Sequence, residues 1–170
     1  MFHYLNLQIL TSFRQTSAYY QIVFLDEPTT GLDPQARQRL WQRVRQERNA
    51  GTTVVLTTHY LEEAERLCDR VIMIDQGHIL ASDTPKVLIA QHIEPHVFEI
   101  FTDEHAEFLT AELPALRTEL LGDSVLCYTD KEPVMLAYLE QQDRPLEFTH
   151  RRGNLEDVFL KLTGRELRDV

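Results

Sequence analysis

The strongest chemical signal in this 170-residue chain is one string, Ile22-Val23-Phe24-Leu25-Asp26-Glu27-Pro28-Thr29-Thr30-Gly31-Leu32-Asp33-Pro34. A short apolar run ends abruptly in two carboxylates. Phosphoryl transfer needs Mg²⁺ held by a carboxylate on a rigid support, and the end of a buried strand supplies one. Asp26 stands at that end. Glu27, one residue on, is placed to polarise an attacking water, and a positioned general base contributes ~10²–10⁴-fold in rate. His59 closes a second apolar run, Val54-Val55-Leu56-Thr57-Thr58. If the two runs are neighbouring parallel strands, its imidazole lies beside Asp26 and Glu27, where it could donate to a γ-phosphate. Open α/β sheets bind ligands at these carboxyl ends of strands. A solvated turn and a polar strand cap are the competing readings for the dipeptide and the lone histidine. The complete string favours the site. The other six histidines show no ligand spacing and receive no role. Glu62, Glu63 and Glu65 beside Arg66 read as a solvated helix face.

The elements that must position these groups can be read next. Ile22–Leu25 and Thr53–Thr57 are continuous apolar runs, the pattern of strands buried on both faces of a parallel sheet. Between them, Asp33-Pro34 offers a capping side chain followed by proline at the first helical position. That helix runs through Leu40, Trp41 and Val44 and stops at Gly51, a C-cap signal. Leu61 to Cys68 is a short amphipathic helix. Val71-Ile72-Met73-Ile74 and His78-Ile79-Leu80 flank Gln76-Gly77 and predict a hairpin.

Residues 95–150 have another rhythm. Strands are expected at His96–Phe101, Arg117–Leu121, Val125–Tyr128 and Leu146–Thr149. Helices are expected at Glu104–Leu113, with Phe108, Leu109 and Leu113 inward, and at Pro133–Gln141, with Met135, Leu136 and Leu139 inward. The order β-α-β-β-α-β is the split-βαβ arrangement of ferredoxin-like domains. A final amphipathic helix, Leu155 to Leu162, precedes Gly164. The expected organisation is an unassigned segment at 1–20, an α/β core at 21–93, a small acidic α+β domain at 94–150 and a C-terminal helix at 151–170.

Charge follows the same division. The chain is acidic, with net charge −10. Its excess is concentrated in residues 94–147, where Arg117, Lys131 and Arg144 are the basic side chains. Such a balance argues against binding nucleic acid by phosphate neutralisation, and leaves room for a small basic patch. Hydrophobic residues make up 43% of the chain, too many for a disordered one. Cys68 and Cys127 lie far apart without metal spacing, and a reduced compartment is the simplest reading. No run of 18 apolar residues exists, so no spanning helix is expected, and 1–20 makes a poor signal peptide.

One requirement of nucleotide chemistry is missing from the letters. A phosphate-cradling loop needs Gly-Lys followed by Ser or Thr. Lys86, Lys131 and Lys161 follow Pro85, Asp130 and Leu160, and no two of the six glycines are adjacent.

With these residues in view, the chain closely resembles the ATP-binding cassette (ABC) ATPases. Gln21–Pro34 is similar to the Walker B strand and the D-loop after it, and Thr57-Thr58-His59 to the switch-histidine segment. Tyr60–Asp83, with Leu61-Glu62-Glu63-Ala64-Glu65-Arg66-Leu67-Cys68-Asp69-Arg70-Val71, resembles the ABC-2-type exporter branch, which includes drug-resistance and nodulation-factor exporters. The tail Asn154-Leu155-Glu156-Asp157-Val158-Phe159-Leu160-Lys161-Leu162-Thr163-Gly164-Arg165 resembles the end of that branch. The likeness begins at Gln21. Residues 1–20 resemble neither the signature loop nor the helix that the family places there.

The resemblance implies a fold and a set of roles. The fold is the C-terminal part of a P-loop NTPase-type parallel sheet, followed by the small ferredoxin-like domain. The cofactors are ATP and Mg²⁺. Asp26 would hold Mg²⁺ through water, Glu27 would be the base, and His59 would sense the γ-phosphate. Gly31, Leu32 and Asp33 would face a second ATPase subunit in a nucleotide-sandwich dimer. The other partner would be an ABC-2-type permease, which places the chain on the cytoplasmic face of the membrane. The expectation is the C-terminal portion of an exporter ATPase, inactive alone without its P-loop and signature loop. A non-hydrolysing interaction module using the acidic 94–147 region, and an inactive remnant, stay open beside it.

Overall fold

The computed structural model describes residues 21–101, 113–121, 123–142 and 145–164. They form two compact units that divide between Cys68 and Asp69.

In the first unit, β1 (Ile22–Asp26) and β2 (Thr53–Thr57) pair in parallel, with Asp26 opposite Thr57. Parallel neighbours require a crossover, and α1 (Pro34–Asn49) supplies it. The Asp33 carboxylate caps α1, accepting from the backbone N–H groups of Gln35 and Ala36, each at 2.9 Å. Past the C-terminus, Gly51 takes φ +94°, a left-handed conformation that costs glycine little. Leu40, Trp41 and Val44 of α1 pack with Leu25 and with Leu67 of α2 (Leu61–Leu67), flanked by Val23, Val54 and Leu56. Their apolar runs predict burial on both faces, and among the described residues one face is covered. Among these residues, alternation leaves Ile22, Phe24 and Val55 exposed, Phe24 at 76%, while Val23, Leu25, Val54 and Leu56 face the α1 and α2 cluster.

The second unit opens with the expected hairpin, β3 (Val71–Asp75) and β4 (His78–Asp83). Gln76 and Gly77 take φ +47° and +78°, the pair of positive values that a two-residue type I′ turn demands. A helix that the sequence reading omitted follows, α3 (Pro85–His92), capped by the Thr84 hydroxyl on Val87 N–H at 3.3 Å. Its Thr84-Pro85 start has the same logic as Asp33-Pro34. Four strands then form one antiparallel sheet: β5 (His96–Phe101), β6 (Arg117–Leu121), β7 (Ser124–Thr129) and β8 (Glu147–Arg152). Their order across the sheet is β6-β7-β5-β8, with α4 (Glu132–Glu140) joining β7 to β8. This is the strand order of the split-βαβ arrangement. The helix expected at Glu104–Leu113 lies, up to residue 112, outside the described residues.

Phe98, Ile100, Val125 and Cys127 on one sheet face form a core with Met135 and Leu139 of α4 and with Leu113; Leu136 packs at its edge. On the other face Tyr128 donates to Asp157 of α5 (Leu155–Thr163) at 3.1 Å. Asn154 and Asp157 form a capping box at the start of α5, and Gly164 ends it at φ +63°.

The division at Cys68–Asp69 falls well before the charge shift at 93–95 that marked the expected boundary. Packing explains the difference. Helix α3 is tied to α5: Lys161 Nζ donates to the His92 carbonyl at 2.6 Å and reaches Glu94 at 3.8 Å. Ile93 leaves Gly153 no room for a Cβ, which would stand 2.6 Å from the Ile93 Cγ2. Neither β3 to α3 nor the C-terminal helix stands apart from the acidic segment.

Candidate functional site

Parallel pairing sets the ends of β1 and β2 side by side, and the chain turns sharply just past β1. Glu27 takes φ +44°, a region that non-glycine residues enter at a cost on the order of 1–3 kcal/mol. Its own backbone N–H meets the Thr57 carbonyl at 3.0 Å and the Thr57 hydroxyl at 3.2 Å, which holds the turn. The turn aims the Glu27 carboxylate across the strand ends at His59, whose Nδ1 lies 2.7 Å from Oε2. Thr30 donates to the same oxygen at 3.2 Å. Asp26, exposed at the strand's last position, accepts a short hydrogen bond from the Thr57 hydroxyl.

The three residues singled out for chemistry thus gather at one edge of the sheet. Glu27 and His59 touch, while Asp26 is joined to them through Thr57. A carboxylate beside an imidazole can hold that ring in one orientation, with the proton-bearing nitrogen set by the partner. Tyr60 lies against the His59 ring, with centroids 4.0 Å apart, and Arg37 stands 5.3 Å over Tyr60. Exposed, hard carboxylate oxygen at Asp26 suits Mg²⁺.

The residues read as a loop toward a second subunit follow directly. Gly31 takes φ +74° and is exposed, and Leu32 is half-buried against the α1 core with its N–H on the Thr29 carbonyl at 3.1 Å. Asp33 has its carboxylate on the α1 N-terminus.

Glu63 departs from the sequence reading. It was expected on a solvated face with Glu62 and Glu65, yet it is fully buried. Its two oxygens accept from Trp41 Nε1 at 2.9 Å and from the Thr29 hydroxyl at 3.2 Å. Burial of a carboxylate is expensive unless its lone pairs are used, and here two donors from distant elements use them. The residue fastens α2 to α1 and to the loop that follows the Asp26-Glu27 pair. A signal was present in the letters: Glu63 lies one turn before the inward-facing Leu67, and Trp41 needed an acceptor. Arg66, beside it, stands 5.5 Å over the Trp41 ring and pairs with Glu62.

Comparison with known proteins supplies the context. Residues 103–164 match the family described as nodulation factor export protein NodI, C-terminal domain. Residues 5–63 match an AAA domain family described as putative AbiEii toxin, type IV TA system. The chain is 45% identical over 150 residues to the Nod factor export ATP-binding protein I of Paraburkholderia xenovorans, covering 87% of this chain and 49% of that protein. The counterpart from Burkholderia thailandensis is 46% identical over 149 residues, at the same coverage. A solved ATP-binding subunit of an ABC transporter is 34% identical, covering 42% of this chain and 30% of that one, with TM-score 0.39. The chain spans about half the length of the curated relatives it matches. Its resemblance to ABC ATPases of the exporter branch therefore rests on relatives aligned along most of this chain, and on only part of each of them.

Proposed function

We propose that the chain is the C-terminal portion of the ATP-binding, ATP-hydrolysing subunit of an ABC-type membrane exporter. The observation that carries this reading is the 2.7 Å pairing of Glu27 with His59 at the ends of two parallel strands, next to Asp26. Asp26 would hold Mg²⁺, Glu27 would orient and deprotonate the attacking water, and His59, its ring fixed by Glu27, would contact the γ-phosphate. Bound Mg²⁺ neutralises the charge that develops on the transferred phosphoryl group. Gly31, Leu32 and Asp33 face a second ATPase subunit, and a permease carries the substrate path. The relatives are named for Nod factor export, which supports export as the process served. Among the described residues no helix is long and apolar enough to cross a membrane.

The phosphate cradle has no counterpart in these 170 residues. Charge-assisted hydrogen bonds are each worth ~1.5–3 kcal/mol. Losing three removes ~5–9 kcal/mol, against the roughly 8 kcal/mol of micromolar binding. The isolated chain is expected to bind ATP poorly and to hydrolyse none.

The test joins residues 21–170 to the missing N-terminal half of one of the relatives and measures phosphate release. Glu27→Gln is expected to abolish turnover and spare ATP binding, because the amide keeps the shape but cannot take a proton. His59→Ala should also stop turnover, and Asp26→Asn should weaken Mg²⁺-dependent binding. Normal turnover in all three variants would refute the site. Turnover by the isolated chain, lost on Glu27→Gln, would refute its inactivity.

A further inference from the structure

The second unit gathers another set of donors of its own. His96 opens β5, His150 lies in β8, and Glu132 is the first residue of α4. Register explains the meeting. Phe98 pairs with His150 and His96 with Arg152, so the two histidines are diagonal neighbours on one sheet face. Helix α4 covers that same face, through the Met135 and Leu139 contacts with Phe98, and its first turn brings Glu132 over them.

Distances then select the chemistry. His96 Nδ1 lies 3.0 Å from His150 Nε2 and 3.5 Å from a Glu132 oxygen. The other Glu132 oxygen is 3.5 Å from His150 Nδ1. One donor atom from each of the three residues falls within 4.8 Å of the others. A tetrahedral ion with bonds of ~2.0–2.1 Å sets its ligands roughly 3.3 Å apart, close to the two spacings measured from His96. The His150 ring is held in plane by stacking on Phe98, with centroids 4.3 Å apart and 9° between planes. His96 is buried, Glu132 half-buried and His150 exposed, which leaves one side of the cluster open to solvent.

We infer that His96, His150 and Glu132 form a binding site for a divalent transition-metal ion of the zinc class, with one coordination position open. Two imidazoles and a carboxylate are the donor set that borderline ions such as Zn²⁺ take, and Mg²⁺ and Ca²⁺ prefer all-oxygen sites. The ion joins β5, β8 and α4 at one point, outside the nucleotide chemistry. Arg152 contacts His96 on its other nitrogen, Nε2, at 3.5 Å. An arginine can only donate, so in the metal-free chain Nε2 accepts and Nδ1 carries the proton. Metal on Nδ1 sends that proton to Nε2, and the exposed Arg152 side chain must then turn away. Removing Arg152 therefore favours the ion.

The experiment uses the full 170-residue chain, stripped with chelator and titrated with Zn²⁺ alone by calorimetry. One equivalent should bind. His96→Ala, His150→Ala and Glu132→Gln should each weaken binding at least tenfold, and Arg152→Ala should leave it unchanged or tighten it. Circular dichroism of each metal-free variant separates lost fold from lost ligand. Glu132→Gln keeps the shape of its side chain at the helix start, so it isolates the ligand if a histidine variant unfolds. No stoichiometric binding by the folded wild-type chain would overturn the inference. Affinity that survives both Glu132→Gln and the double variant His96→Ala/His150→Ala, or that falls tenfold on Arg152→Ala, would overturn it too.

Discussion

Glu63 gathers in one side chain what holds the candidate site's supporting loop in place. Its carboxylate is the shared acceptor of Trp41 and Thr29, so replacing it by an apolar residue leaves two buried donors without a partner. Each orphaned donor costs ~1–3 kcal/mol. Glu63→Leu is therefore expected to destabilise the chain by about 2–6 kcal/mol. Glu63→Gln should cost far less, since its carbonyl can still accept from Trp41 and its amide can donate to the Thr29 hydroxyl. Urea unfolding followed by Trp41 fluorescence reads the difference directly, because Trp41 is the chain's single tryptophan. Equal losses in the two variants would mean that packing, not hydrogen bonding, holds this residue. In the joined ATPase, Glu63→Leu should also lower turnover more than ATP binding. It loosens Thr29, two residues after Glu27, without touching the nucleotide contacts proposed for Asp26 and His59.

Strand β7 carries a prediction that belongs to the element. All six of its residues are buried, since β5 and β6 flank it and helices α4 and α5 cover its two faces. Burial pushes the Cys127 thiol from 9.0 up to about 12. Burial, and then the neighbouring Asp157 carboxylate, push the Tyr128 hydroxyl from 10.0 up to about 12. The folded chain thus keeps both protons to higher pH than the unfolded chain does. Unfolded molecules bind fewer protons above pH 9, so stability is whole below that value and falls as pH rises toward about 12. Urea midpoints by circular dichroism at rising pH should decline across that window. Cys127→Ala should delay the onset toward pH 10, the range of the unfolded tyrosine. A midpoint unchanged between pH 8 and 11 would contradict the burial argument. Elements such as β7 were legible because their signals are local: apolar runs, the Asp33-Pro34 start, the Gln76-Gly77 turn. Among the described residues the helix missed, α3, had its Thr84-Pro85 cap in plain view. Contacts between distant residues were not legible. His96 and His150 are 54 positions apart, and only the β5–β8 register makes them neighbours. Glu63 reads as surface by composition, and only the approach of Trp41 turns it inward. The Glu27–His59 pair could be anticipated because two apolar runs ending in polar residues already imply adjacent strand ends.

At the scale of the whole chain, the acidic segment 94–150 reads from its letters as a folding unit of its own, and packing draws the unit wider. Ending the chain at His150 would cut β8 before Arg151 and Arg152 and remove every residue of α5. Arg151 makes two hydrogen bonds to Asp157, at 2.7 and 2.8 Å, and Tyr128 donates to the same carboxylate. That pairing holds the Arg151 guanidinium's proton more firmly than usual, chiefly through the hydrogen bond. Losing α5 would therefore expose Val97, Leu126 and Tyr128 and leave the Tyr128 hydroxyl without this acceptor. A start at residue 94 would also strip away α3, whose last carbonyl holds Lys161. A segment with three or more strands and a covered apolar face can be stable alone, but only if both faces of a sheet buried on both sides stay covered. Residues 69–170 expressed alone are expected to give a dispersed amide proton spectrum, and residues 94–150 a collapsed one. Asn154→Ala, which breaks the capping box of α5, should lower the stability of 69–170 by about 1 kcal/mol. Dispersion in 94–150 equal to that in 69–170 would show that α3 and α5 are appendages and would return the boundary to the charge shift. Collapse of both would mean that the second unit needs residues 1–68 to fold.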